Sequence, residues 1–291
     1  MKILITGGTG FIAKNITEQI GDEFQVVAHN IETLNLLDSG QVAEYIKQNR
    51  FEVVIHTANY DAATKYSSND PAKVLDYNLR MFFNLVRCRD HYGKLLYFGS
   101  GAEYDRQHWA PRMAESYFDR HVPSDQYGYS KYLMTQYSLQ TSNIYNLRLF
   151  AVFGKYEDWR IRFISNACCC AVLGLPIKIK QNVRYDYLYI DDLVKIVKWF
   201  VSNQPQKSVY NICTGRAYDL KTLADMVIKA SGKELDIDIL KDGLGVEYSG
   251  DNSLLTQEIG PIEFSEIGGA IKTLYEWYEA NKQIIGKGEL L

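Results

Sequence analysis

Residues 127–131 read YGYSK, which sets the phenol of Tyr127 and the ammonium of Lys131 four residues apart. On a helix, two residues four apart share a face. A free phenol ionises at about pH 10. A neighbouring positive charge favours its phenolate, which suits such a pair to exchanging a proton with a carbonyl or hydroxyl group near neutrality. Spacing alone does not single these residues out. With 22 tyrosines in 291 residues, the pattern Tyr-x-x-x-Lys recurs, and Tyr278 and Lys282 repeat it. The first pair follows Pro123, Ser124 and Asp125, at the start of a helix.

A second group of residues with chemical meaning lies at the start of the chain, TGGTGFIA (6–13), directly after the apolar run KILIT. Gly7 and Gly10 are three apart, and Ala13 completes Gly-x-x-Gly-x-x-Ala. Glycines allow a tight turn whose N–H groups approach a diphosphate, and the helix that follows adds partial positive charge at its N-terminus. Small Ala13 lets that helix lie close to the strand. Strand, turn and helix in this order mark a dinucleotide site, so Gly7, Thr9, Gly10, Phe11 and Ile12 are candidate cofactor contacts. NAD-selective sites usually end the second strand with Asp or Glu to hold the ribose 2′-OH. Here it ends VVAHN, with His29 and Asn30 in that place. Lys14 and His29 could meet a 2′-phosphate, which favours NADP(H) and leaves NAD(H) open; Lys14 also reads as an ordinary solvated helix residue.

The elements that must position these groups alternate along the first 150 residues. Strands are expected at 2–6, 24–28, 51–57, 94–100 and 145–154. Helices are expected at 11–20, at 39–49 behind Asp38 or Ser39, after Pro71, and around YGYSK. Near-continuous apolar strands alternating with helices imply a doubly wound parallel α/β sheet, a Rossmann fold. Beyond Gly154 the rhythm loosens into a helix (160–173), GLPIKIK, YDYLYIDDLVKIVKWFV, the strand SVYNICTG, a helix opened by Asp219 and a last helix at LYEWYEANK. The expected division is a dinucleotide-binding domain at 1–155 to which 185–215 returns. A smaller C-terminal mixed α/β substrate lobe then comprises 156–184 and 216–291.

Composition bounds the partners. Net charge of −3 gives no basic stripe for nucleic acid or an anionic membrane. No apolar run reaches the roughly 18 residues of a membrane span, and MKILITGGTG reads as a buried strand, not a leader. The five cysteines (Cys88, Cys168, Cys169, Cys170, Cys213) show no C-x-x-C pair. They read as small buried apolar residues of a reducing compartment, so a cytoplasmic protein without a metal centre is expected.

With these motifs in place, the chain resembles, over its whole length, the extended short-chain dehydrogenase/reductases, the NAD(P)-dependent epimerase/dehydratase family acting on nucleotide sugars. TGGTGFIA is similar to that family's glycine turn. LNLLD (34–38) resembles its adenine segment and implies Asn35 and Leu36 beside the adenine. HTAN (56–59) resembles the segment closing over the cofactor and implies Thr57, Ala58 and Asn59, while Asn78 matches a helix Asn. LRLFAVFG (147–154) resembles the nicotinamide segment and implies Phe150, Ala151 and Val152. DYLYIDDLV (186–194) and YSGDNSLLTQEIG (248–260) resemble later signatures. The family precedes its Tyr and Lys by a Ser or Thr at the end of the preceding strand, which implies Ser100 as the third catalytic residue. Tyr278 matches nothing in the pattern.

Departures from the pattern narrow the reaction the resemblance implies. The 4,6-dehydratases place Asp and Glu straight after their Thr; Gly101 and Ala102 stand here and move no proton. GDP-fucose synthase epimerises with a Cys two residues after its Ser and a later His; Ala102 stands at the first place, and no His occurs between Gly154 and Ile177. What remains is reduction of a 4-keto-6-deoxy nucleotide sugar, with 4-epimerisation through a transient ketone as the alternative. Ala151, where the epimerases usually carry Asn, favours the reductase. A non-catalytic dinucleotide sensor is a rival that retention of Ser100, Tyr127 and Lys131 opposes. Tyr60, Tyr104, Arg162 and Arg184 are candidate substrate contacts. A homodimer through the helices after the third and fifth strands is expected, with Tyr132 and Tyr137 at its interface.

Overall fold

The computed structural model describes residues 1–62 and 66–290. The chain runs β1 (Lys2–Thr6), α1 (Phe11–Ile20), β2 (Gln25–His29), α2 (Ser39–Asn49), β3 (Val53–His56), α3 (Val74–Val86) and β4 (Lys94–Ser100). Then follow α4 (Gln126–Ser138), β5 (Ile144–Leu149), β6 (Ala151–Phe153), α5 (Phe163–Leu173) and β7 (Ile177–Ile179). The remainder is β8 (Arg184–Tyr185), β9 (Tyr187–Tyr189), α6 (Ile190–Ser202), β10 (Val209–Ile212), β11 (Tyr218–Asp219), α7 (Leu220–Ser231), β12 (Ile237–Ile239), α8 (Ser253–Ile259) and α9 (Ile267–Ala280).

Six strands form one sheet in the order β2-β1-β3-β4-β5-β10, every pair parallel. Strand order reverses between β1 and β3, the switch point where such sheets open a crevice at their C-terminal ends. β3 is buried at every residue, as expected of a strand covered on both faces. One face packs on α1, α6 and α8 through residues such as Ile16, Val197 and Leu255. The other packs on α2, α3 and α4 through Val42, Phe82 and Met134. Side-chain caps fix the helix starts: Asp38 accepts from the N–H groups of Gly40 and Gln41, Asp125 from Gly128, and Asp219 from Thr222.

The second core lies among α5, α7, α9 and β7. Cys168, Cys169 and Cys170 are all buried there, because α5 is enclosed on every side rather than on one stripe. Burial pushes all three thiols up, Cys170 to about 11, so they are protonated packing groups.

Two elements differ from the sequence expectation. The run 145–154 is not one strand: β5 leaves the large sheet after Leu149, and Ala151–Phe153 pairs with β9 instead. Phe150 sits at the break, its ring 5.1 Å from that of Tyr248. Nor does 216–291 stay in one lobe, since Leu254, Leu255, Ile259, Ile262 and Phe264 pack into the large sheet's core. α8, which carries three of them, lies against β10, and among the described residues β10 has no strand on its outer side.

Candidate active site

β4 ends at Ser100, and the chain turns at once into a 3-10 helix, Gly101–Tyr104. A reciprocal capping box sets this turn: Ser100 Oγ accepts from the Ala102 N–H at 3.2 Å, and the Ser100 N–H donates to Glu103 Oε1 at 2.9 Å. Glu103 is fully buried and also accepts from Thr135 Oγ1 of α4 (2.8 Å), Asn146 Nδ2 of β5 (3.1 Å) and Arg148 Nε (2.7 Å). One carboxylate thus ties the serine to α4 and to β5. The signal for it was in the sequence, as S-x-x-E at 100–103.

α4 begins at Gln126, which puts Tyr127 in its first turn and Lys131 one turn later. Gly128 lets α4 approach the serine turn; a Cβ there would lie 2.8 Å from the Ala102 carbonyl oxygen. Ser100, Tyr127 and Lys131 all line one cleft of about 1340 Å³. Tyr127 is partly exposed to it. Lys131 is buried, its Nζ donating to the Phe98 carbonyl at 2.9 Å and lying 5.7 Å from the Tyr127 ring centroid.

Burial raises the Tyr127 phenol above its ordinary value, and the Ser100 side chain acts against it. Burial lowers Lys131 to about 8, opposed by the Glu103 carboxylate. In the free protein desolvation therefore dominates, and Tyr127 stands protonated at neutral pH, ready to donate. Behind it, burial and the charge of Lys131 hold His56 down at about 3, so that His56 is a neutral partner of Thr6 Oγ1 at 2.8 Å.

The turn after β1 fits a dinucleotide diphosphate. Gly7 has φ +69°, and a Cβ on it would meet the Ala58 backbone at 2.8 Å. A Cβ on Gly8 would meet Ala28 at 3.0 Å. α1 has no side-chain cap and no acidic residue in its first turn, so its leading N–H groups and partial positive charge are left for an anion. Phe11, Ile12, Thr57, Asn59, Phe150, Ala151 and Val152 line the same cleft as the catalytic candidates.

Other expected cofactor contacts have structural partners. Both ring nitrogens of His29 are engaged, Nδ1 with Thr33 Oγ1 (2.9 Å) and Nε2 with Tyr45 Oη (2.6 Å). Asn30 Oδ1 accepts from the N–H groups of Glu32 and Thr33, making an Asx turn. Asn35 caps Leu37 in the same manner, and Leu36 is a buried core residue. Asn78 is buried and clamps the chain after Asn59, donating to the carbonyls of Tyr60 and Val74 and accepting from the Tyr60 N–H. Lys14 lies over the Tyr156 ring at 5.3 Å.

Of the expected substrate contacts, Arg162 lines the cleft. Tyr104 does not face it: the ring is buried, its hydroxyl donates to Asn211 Oδ1 at 2.8 Å, and Arg148 lies over its face at 4.5 Å. The Tyr60 hydroxyl accepts from the Asp70 N–H, and exposed Arg184 sits on β8; neither is among the cleft-lining residues. Tyr185 and Tyr187 line the cleft too, and Glu157, Trp109 and Tyr248 do so without having been singled out as contacts. Tyr132, expected at an interface, is buried within the chain against Asp119, whereas Tyr137 is half-buried and accepts from Arg89 at 2.7 Å.

The family model for NAD dependent epimerase/dehydratases matches residues 3–213, which include the glycine turn, Ser100, Tyr127 and Lys131. The chain belongs to that family. Among solved structures, it is similar to the GDP-mannoheptose C4 reductase of Campylobacter jejuni with NADP bound, at 19% identity over 96% of this chain and 98% of that one, TM-score 0.81. It is likewise similar to a GDP-L-fucose synthetase of Naegleria fowleri bound to NADP, at 16% identity over 97% and 93%, TM-score 0.82. A third is the UDP-glucose 4-epimerase of Thermotoga maritima with UDP-glucose, at 20% identity over 98% and 100%, TM-score 0.79. At these identities the likeness is one of fold. Among the described residues no helix is long and apolar enough to cross a membrane, and no His, Cys, Asp and Glu group could hold a metal ion.

Proposed function

We propose that this member of the epimerase/dehydratase family is an NADP(H)-dependent reductase of a 4-keto-6-deoxy nucleotide sugar. The observation that carries the reading is a protonated Tyr127 and the Ser100 hydroxyl side by side on one cleft wall. Ser100 is followed by Gly101 and Ala102, where an eliminating enzyme needs an acid and a base. When bound, a reduced nicotinamide supplies the hydride. Tyr127 gives its proton to the carbonyl oxygen as that oxygen gains charge, so ketone, hydride and proton become one alcohol. Ser100 donates a hydrogen bond to the same oxygen and fixes it. Lys131 supports the phenolate left on Tyr127 with its positive charge, below the pH of about 8 at which it loses its proton.

The NADP-bound relatives and the lack of a carboxylate at the end of β2 favour NADP(H) over NAD(H). The structure of a relative that epimerises through the same fold keeps 4-epimerisation as the second reading, favoured by the protonated state of Tyr127 being usable in either direction. The two separate on stoichiometry. With NADPH and 4-keto-6-deoxy nucleotide sugars in turn, a reductase consumes one reduced cofactor per product. Interconversion of a 4-hydroxy nucleotide sugar with no net loss of cofactor would establish the epimerase instead.

A further inference from the structure

Glu157 lies in the turn that carries the chain from β6 into α5. It lines the cleft that holds Ser100, Tyr127 and Lys131, yet only 7% of it is exposed. Its carboxyl is held at one oxygen and open at the other. Ser165 Oγ of α5, itself fully buried, donates to Oε2 at 2.6 Å. Oε1 has no hydrogen-bond partner among the described residues, and it is not one of the enclosed atoms that lack a partner, so it opens on the cleft. The acid beside it is already satisfied: Arg160 forks Asp158 at 2.8 and 2.9 Å.

The chemistry of the open oxygen selects its ligand. Burial raises Glu157 to about 8, so at pH 7 the group is a neutral carboxylic acid. With Oε2 accepting from Ser165, the proton sits on Oε1 and points into the cleft. A neutral acid offers a donor and an acceptor together, which matches a hydroxyl; a diphosphate calls for cations. The wall suits a sugar ring as well, since Tyr185 and Tyr187, their rings 5.9 Å apart, give the same cleft apolar faces with polar tips. We infer that Glu157 is a substrate-binding residue whose Oε1 hydrogen-bonds a hydroxyl of the sugar, with Ser165 fixing the carboxyl for that contact. The inference rests on the nucleotide-sugar reading of the cleft and not on the choice between reduction and epimerisation.

The test is calorimetric titration of NADPH-saturated protein with UDP-, GDP-, CDP- and dTDP-glucose, alcohols that a reduced cofactor cannot oxidise, and with the matching nucleoside diphosphates. Loss of one hydrogen bond corresponds to about threefold to tenfold in a dissociation constant. For whichever nucleotide binds the wild type, Glu157→Leu should weaken the sugar form by that factor and leave the affinities for the nucleoside diphosphate and for NADPH unchanged. Glu157→Gln, which keeps an acceptor for Ser165 and puts an N–H where the O–H was, should bind the sugar as the wild type does. Glu157→Ala supplies the same readings if the leucine variant does not fold. Unchanged sugar binding, equal weakening of the nucleoside diphosphate or of NADPH, or a loss in the glutamine variant as large as in the leucine variant would overturn the inference. So would wild-type protein that binds none of these sugars. Wild-type protein that binds one of them, and leaves NADPH unoxidised with the 4-keto-6-deoxy form, sinks the reductase reading alone.

Discussion

Removing the Glu103 carboxylate is the perturbation whose cost the structure sets most directly. Glu103 and Arg148 are both fully buried and 2.7 Å apart. Substituting alanine leaves Arg148 with the Tyr104 hydroxyl at 2.5 Å and Asn211 Oδ1 at 3.2 Å, and with no anion. Arg148 cannot escape by losing its proton, because a guanidinium stays charged inside proteins. Breaking a buried pair from one side costs about 3–5 kcal/mol. The orphaned donors on Ser100, Thr135 and Asn146 place Glu103→Ala at the upper end of that range. With a urea m-value of about 3 kcal/mol/M, the unfolding midpoint should fall by about 1–1.7 M while m stays unchanged. Circular dichroism across a urea series reads both quantities. Turnover should fall too, because the Ser100 backbone and α4 lose their common anchor. Glu103→Ala costing less than about 1 kcal/mol would refute the reasoning, since the carboxylate would then be worth no more than one ordinary hydrogen bond.

Two further outcomes follow from single positions. Gly7→Ala forces a Cβ to within 2.8 Å of the Ala58 backbone at φ +69°, so NADP(H) affinity should weaken at least about tenfold in a nicotinamide-fluorescence titration; unchanged affinity would remove the turn from the cofactor site. Glu157, raised by burial from 4.5 to about 8, binds a proton in the folded protein that the unfolded chain has released. Its contribution is therefore full below pH 4.5 and is lost as pH rises toward 8, and Glu157→Gln should flatten the decline of stability across that window. A decline equally steep in the variant would show that Glu157 is not its source.

How much of this was legible beforehand depended on whether a feature is local. The bounds of α2 come straight from Asp38 and its capping bonds, and Tyr127 and Lys131 fall on one helix because Asp125 starts α4 beside them. The glycine turn announces itself in eight consecutive residues. The break at Phe150 was hidden, since an apolar run reads the same whether it stays in one sheet or changes partner at its midpoint. Polar residues with a cofactor-like placement also have uses that a sequence does not display. His29, Asn30 and Asn78 look free in sequence, and the fold uses their side chains to close turns and clamp a loop. The Arg148–Glu103 pair joins residues distant in sequence, and the strand order, which sets β5 beside β4, brings them together.

The central claim is that Tyr127 supplies the proton. Tyr127→Phe keeps the ring and its packing and removes only that donor. With NADPH and a 4-keto-6-deoxy nucleotide sugar reduced by the wild type, turnover should drop by about 10²–10⁴ while NADPH binds as before. Turnover close to that of the wild type would contradict the account.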